Sequence, residues 1–168
     1  MSRDFSKLSP EIWRSPRFHS LGNSEAALLW HYYVAGPHAN SSGCSRIPDG
    51  YAAADFAPFG WTVADLVQHR QELADAQLIT FDPATSEVYV DRWFVHNPPT
   101  NISHAKGASK IICKIEGEDL RLKVEEEFLQ TEWGQKLKQV QDAAANVTSI
   151  APEDRLTATR FMRGGGTR

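Results

Sequence analysis

Apolar residues recur with a helical period through the first half of the chain, then switch to the two-residue period of strands. Over 23–35, Ala26, Leu29, Trp30 and Tyr33 fall on one face of a helix. Asn23 or Ser24 caps it, and Glu25 suits the positive end of its dipole. Gly36-Pro37 stops it. A polar loop from His38 leads to Cys44–Ile47, short enough for a small strand. Pro48 opens a second helix over 49–56, with Tyr51, Ala54 and Phe56 as candidates for its buried side. Beyond the turn at Pro58-Phe59-Gly60, Thr62 caps a third helix over 62–76. Val63, Leu66, Val67 and Leu73, with the stem of Arg70, form its inner face. Asp65, Gln68, His69, Gln71 and Glu72 form its outer face. The period then changes. Leu78 to Phe81 and Val88 to Val90 predict strands over 78–82 and 87–91, joined by a turn at Asp82-Pro83.

Helix, turn, helix and a two-stranded wing is the order of a winged helix-turn-helix. The pattern therefore predicts an α+β fold, mostly α. A winged domain over 23–100 follows an N-terminal arm over 1–22. Ile12, Trp13, Phe18 and Leu21 are expected to dock that arm. Asn97-Pro98-Pro99 forces an extended exit. A helical extension over 101–145 follows, then a flexible tail over 146–168. In the extension, Ala108, Ile111, Ile112 and Ile115 form one apolar stripe. Leu122, Leu129, Trp133, Leu137 and Val140 form another, on one long helix that Gly134 is expected to bend.

Charge changes the picture. Of the 168 residues, 18 are Lys or Arg and 21 Asp or Glu, for a net charge of −3. Residues 1–100 hold 7 basic and 11 acidic residues, so the deficit lies in the winged part. Attraction to a nucleic acid must then be local. Cys44 and Cys113 are far apart, with no CxxC, and predict reduced thiols in a cytoplasmic protein. No apolar run approaches the roughly 20 residues of a membrane span.

Several short motifs resemble one family. They are Leu8-Ser-Pro-Glu-Ile-Trp13, Arg46-Ile-Pro48, Gly60-Trp61-Thr62, Leu73 followed by Leu78-Ile79, and Trp93-Phe94 with Asn97-Pro98-Pro99. In order and spacing, over roughly residues 5–115, the chain resembles the winged-helix domains of phage replication (replisome-organiser-like) proteins, related to the N-terminal domains of DnaD-like primosomal proteins. The resemblance implies a winged-helix fold, replication DNA as ligand, contact with host or phage replication proteins, and a bacterial host cell. The chain departs from the family at Gln77, where Gly is usual, and at His69 and Arg70, where apolar residues are usual.

The candidate DNA contacts follow from the third helix and its flanks. Gln68 and Gln71 suit adenine, and Arg70 suits guanine or phosphate. Thr62, Asp65 and His69 share the helix. Arg46 lies at the strand-to-helix junction, and Lys106, Lys110 and Lys114 recur every fourth residue as one stripe. Against this stands a solvated acidic face that docks a protein, as an adaptor or inhibitor. No motif for a nucleophile, phosphate loop or metal site is present, so no enzyme activity, cofactor or metal is expected. The apolar stripes of the extension predict a homodimer.

Overall fold

The computed structural model describes residues 6–148; within 144–148 only the backbone is described. Among these residues are eight α-helices and a three-stranded antiparallel sheet. A 3-10 turn, Pro10–Arg14, precedes α1 (Pro16–His19) and α2 (Ser24–Ala35). Strand β1 (Cys44–Arg46), α3 (Asp49–Phe56) and α4 (Val63–Asp75) follow, then β2 (Ile79–Asp82), β3 (Glu87–Val90) and α5 (Trp93–His96). The C-terminal helices are α6 (Ile102–Ile112), α7 (Glu118–Leu129) and α8 (Glu132–Thr148). The strands lie in the order β1-β3-β2, with Cys44 opposite Tyr89 and Ile79 opposite Val90.

Local chemistry explains these boundaries. Asn23 caps α2 by accepting the Ala26 N–H at 2.7 Å. Thr62 and Asp65 form a capping box at the start of α4. Gln77 turns the chain out of α4 at φ +54°, in the left-handed region that favours glycine. Gly43 has φ +72°, and a Cβ there would strike the ring of buried Trp93. That ring's Nε1–H donates to the Ser41 carbonyl at 3.2 Å.

The sheet is covered on both faces. Val88, Val90 and Ile79 turn toward α2 and α4, and Phe81 lies under Arg70 on the same side. The alternate residues of β3 face α7. Glu87 accepts the Glu116 and Gly117 N–H groups at 3.1 and 2.9 Å. The Tyr89 hydroxyl donates to Glu127 at 2.7 Å. Asp91, just past the strand, accepts from Lys123 Nζ at 2.7 Å. All four residues of β3 are therefore buried.

One hydrophobic core runs from Phe18 through the sheet to Leu137. The C-terminal helices join it, with α8 packed against α6 and α7. The expected long helix breaks at Gln130–Thr131, not at Gly134. Thr131 Oγ1 caps α8 by accepting the Gly134 N–H at 3.0 Å. The inner face of α7 is Leu120, Val124 and Phe128, while Leu122 and Val140 are exposed. Leu129 and Trp133 are half-buried against the core. The stripes that predicted a second copy are thus largely covered within the chain.

Other expectations need correction. Trp13, Tyr51 and Ala54 are exposed, and the buried residues of α3 are Ala52 and Phe56. Of the arm, Phe18 is buried and Ile12 and Leu21 pack partly against the core. The tail expected over 146–168 begins inside α8, and 149–168, like 1–5 of the arm, lie outside the described residues. Among the described residues no helix is long and apolar enough to cross a membrane.

Candidate functional site

The outward face of α4 is made by Val63, Ala64, Val67, Gln68, Gln71 and Asp75. It carries no cation. The only Lys or Arg on the helix, Arg70, is 7% exposed. Its guanidinium pairs with Asp49 of α3 and lies 3.6 Å from the Phe81 ring centroid. It also reaches the Tyr33 hydroxyl, whose pKa burial pushes up to about 12. The Arg70 guanidinium, expected as a base or phosphate contact, is therefore engaged inside the fold in this structure.

The remaining residues of α4 divide between local bonds and exposure. Gln68 Nε2 donates to Glu72 at 3.3 Å and Gln71 Nε2 to Asp75 at 2.8 Å, so both amides lie along their own helix. Thr62 and Asp65 are occupied with each other. The Thr62 backbone N–H, and then its hydroxyl, hold the Asp65 carboxyl below its ordinary pKa. His69, expected outside, is half-buried, with its ring centroid 4.8 Å from that of Trp61. Trp61 in turn stacks on Phe56 at 4.3 Å and closes the corner between α3 and α4. Val63 and Val67, expected inside, are 47% and 42% exposed, and Phe59 before the corner is 67% exposed.

The other expected contacts do not gather on α4. Arg46 pairs with Glu116 at 2.8 Å, both side chains more than half exposed, which tethers β1 to the segment before α7. Lys106 and Lys110 lie exposed on α6, and Lys114 is exposed beyond its end. Helix α6 packs on α7 and α8, whereas α4 packs on α2, α3 and β2. The β2–β3 turn, residues 82–87, contains two acids and no base.

The outward face of α4 thus exposes Val63 and Val67 beside Glu72 and Asp75, and Phe59 is exposed at the corner that precedes the helix. Sequence reasoning missed this corner because both valines fit the broad apolar stripe of an amphipathic helix. The exposed Phe59 beside a turn glycine was the available signal. No family model matches the chain, and neither do the curated proteins or the solved structures compared with it.

Proposed function

We propose that residues 23–96 form a winged helix-turn-helix module that binds a protein, as an adaptor or inhibitor, through the outer face of α4. The order α2, β1, α3, α4, β2, β3, with its β1-β3-β2 sheet, supports the winged-helix reading. The partner class rests on one observation: the helix that would enter a DNA groove exposes Val63, Val67 and two glutamines but no cation. Phosphate contact supplies most non-specific DNA affinity, and such a face cannot provide it. An apolar centre beside carboxylates suits a protein surface with an apolar ridge and basic flanks. The resemblance to phage replication proteins supplies the setting, so host or phage replication proteins are the partners to test first.

Lysines 106, 110 and 114 favour double-stranded DNA as the second reading, because they expose three cations in a row. Two measurements separate the readings. Duplex binding is followed by fluorescence anisotropy over a salt series. Cross-linking in the host cell is run from a photoreactive residue at position 67, with position 110 as control. The protein reading expects duplex affinity no tighter than about 10⁻⁶ M at physiological salt. It also expects a protein adduct from position 67 that Val63→Asp abolishes. Tighter, salt-steep duplex binding that weakens on Lys106→Ala, Lys110→Ala or Lys114→Ala would overturn it.

A further inference from the structure

Away from α4, positive charge gathers around a cavity. Between the N-terminal arm, α2, β3 and α5 lies a space of about 320 Å³, at the lower end of the range for small-molecule sites. Its floor includes Trp30, Val34, Leu78 and Val90, all nearly buried. Lys7, Arg17 and Arg92 line it with His96. Burial, and then the charges of Arg92 and Arg17, lower the His96 pKa, which places these three groups within one another's field. Of the two acids of the lining, Asp91 has its side chain buried and engaged, and Glu11 is exposed at the mouth. Asp91 accepts from Lys123 at 2.7 Å and from Thr80 at 2.8 Å, and Glu11 pairs with Arg14 at 3.7 Å. Arg17 gives one N–H to the Gln77 carbonyl at 2.7 Å. The Arg92 guanidinium has no hydrogen-bond or ion-pair partner among the described residues.

A chain of net charge −3 thus lines an apolar cavity with three cations, and the one lining carboxylate that is buried, Asp91, is engaged by Lys123. We propose that this cavity binds a small organic anion with an apolar body. The anionic head, a carboxylate or phosphate ester, lies against Arg92 and Arg17, and the body lies against Trp30, Val34 and Leu78. Arginine suits both heads, since its planar fork donates two parallel hydrogen bonds. The arm forms one wall and the core the other, so the bound anion ties the arm to α5. The site is independent of the α4 surface.

Phenyl phosphate and phenylacetate are the probes, with inorganic phosphate and phenol as controls. Binding to the full chain is measured by calorimetry and by thermal melting at constant ionic strength. At least one probe should bind ten times more tightly than either control and raise the Tm with concentration. Arg92→Gln should weaken that binding by about 10-fold or more, the loss expected for a hydrogen bond to a charged group. As a check that does not depend on a variant, titration of the wild-type chain should shift the NMR signals of the Trp30 indole and the His96 ring. The proposal is overturned if neither probe binds more tightly than the controls. Binding that survives Arg92→Gln undiminished, or signal shifts confined to other residues, would overturn it equally.

Discussion

Replacing Arg70 separates a structural role from a DNA-reading one. Its side chain is 8% exposed and that of its partner Asp49 35% exposed. Breaking a fully buried ion pair costs about 3–5 kcal/mol. Asp49 can rehydrate once its partner is gone, which puts the charge component of Arg70→Ala toward the lower end of that range. The stacked Phe81 loses a cation worth about 0.5–2 kcal/mol. The aliphatic stem leaves space beneath α4. We expect Arg70→Ala to destabilise the chain by about 3 kcal/mol. Arg70→Met, which keeps the stem, should cost less. Asp49→Asn strands a buried guanidinium and should cost nearly as much as the alanine. Combining Arg70→Met with Asp49→Ala removes both charges and should restore part of the loss.

Urea denaturation reads these values. With a slope of about 1–3 kcal/mol per molar, a 3 kcal/mol loss moves the midpoint by 1 M or more. Duplex binding is measured on the same proteins under conditions where each remains folded. The reasoning fails if Arg70→Ala costs less than about 1 kcal/mol while lowering DNA affinity 10-fold. That pair of results would mean that the guanidinium leaves Asp49 to meet a phosphate.

Further outcomes follow from single sites. Leu73, fully buried, should lose about 2–5 kcal/mol on Leu73→Ala in the same denaturation assay. Gln77→Gly should gain up to about 1 kcal/mol, because it relieves the left-handed backbone at φ +54°; a loss would show that the Gln77 side chain compensates. Burial raises the Tyr33 pKa from 10 to about 12, so the neutral phenol contributes fully below pH 10 and its contribution fades as pH climbs toward 12. Tyr32 and Tyr89 shift the same way, chiefly through burial. Phenolate absorbance rising alongside alkaline unfolding checks this. Light scattering should find the full chain monomeric, since its apolar stripes are largely covered. A fragment ending at Thr100 should fail to fold cooperatively, because Glu87 and Tyr89 lose their cover.

Much of the scaffold was legible in the sequence. Caps at Asn23 and Thr62, Pro48 at a helix start and the switch from helical to strand period place α2, α3, α4 and the hairpin to within a residue or two. The third strand at Cys44 was legible too. Side-chain direction was less so. On α4 the apolar residues 63, 66, 67 and 73 fit one broad stripe, but packing covers only its Leu66 and Leu73 side and leaves both valines exposed. On α7, Leu120, Leu122 and Val124 alternate as a strand would, and of its apolar residues it is the 120-124-128 row that is buried while Leu122 is exposed. The Arg70–Asp49 pair joins residues 21 positions apart, so no local period announces it. Of the candidate DNA residues, Gln68 and Gln71 were legible as exposed on one helix face, but their partners Glu72 and Asp75 were not, and those partners decide what that face offers.

The cover on the second face of the sheet explains why α4 remains as the surface to offer. Glu87, Tyr89 and Asp91 lie on the polar side of β3, which a half-buried strand turns to water. Here each meets a dedicated partner along α7: the backbone N–H groups at its start, then Lys123 and Glu127. Polar pairs of this kind add little net stability but leave costly unsatisfied groups if the helix shifts register. They therefore fix where α7 sits more than how strongly it binds. Gly117 fits the same joint, because a Cβ there would strike the Asp82 carboxylate. With α7 seated, neither face of the sheet is free for a partner, and the turn at its tip presents acids. The broad outer face of α4 is exposed instead, and its chemistry is apolar and acidic. A buried sheet beside a helix face that exposes valines and carboxylates but no Lys or Arg is better suited to a protein ridge than to a phosphate backbone.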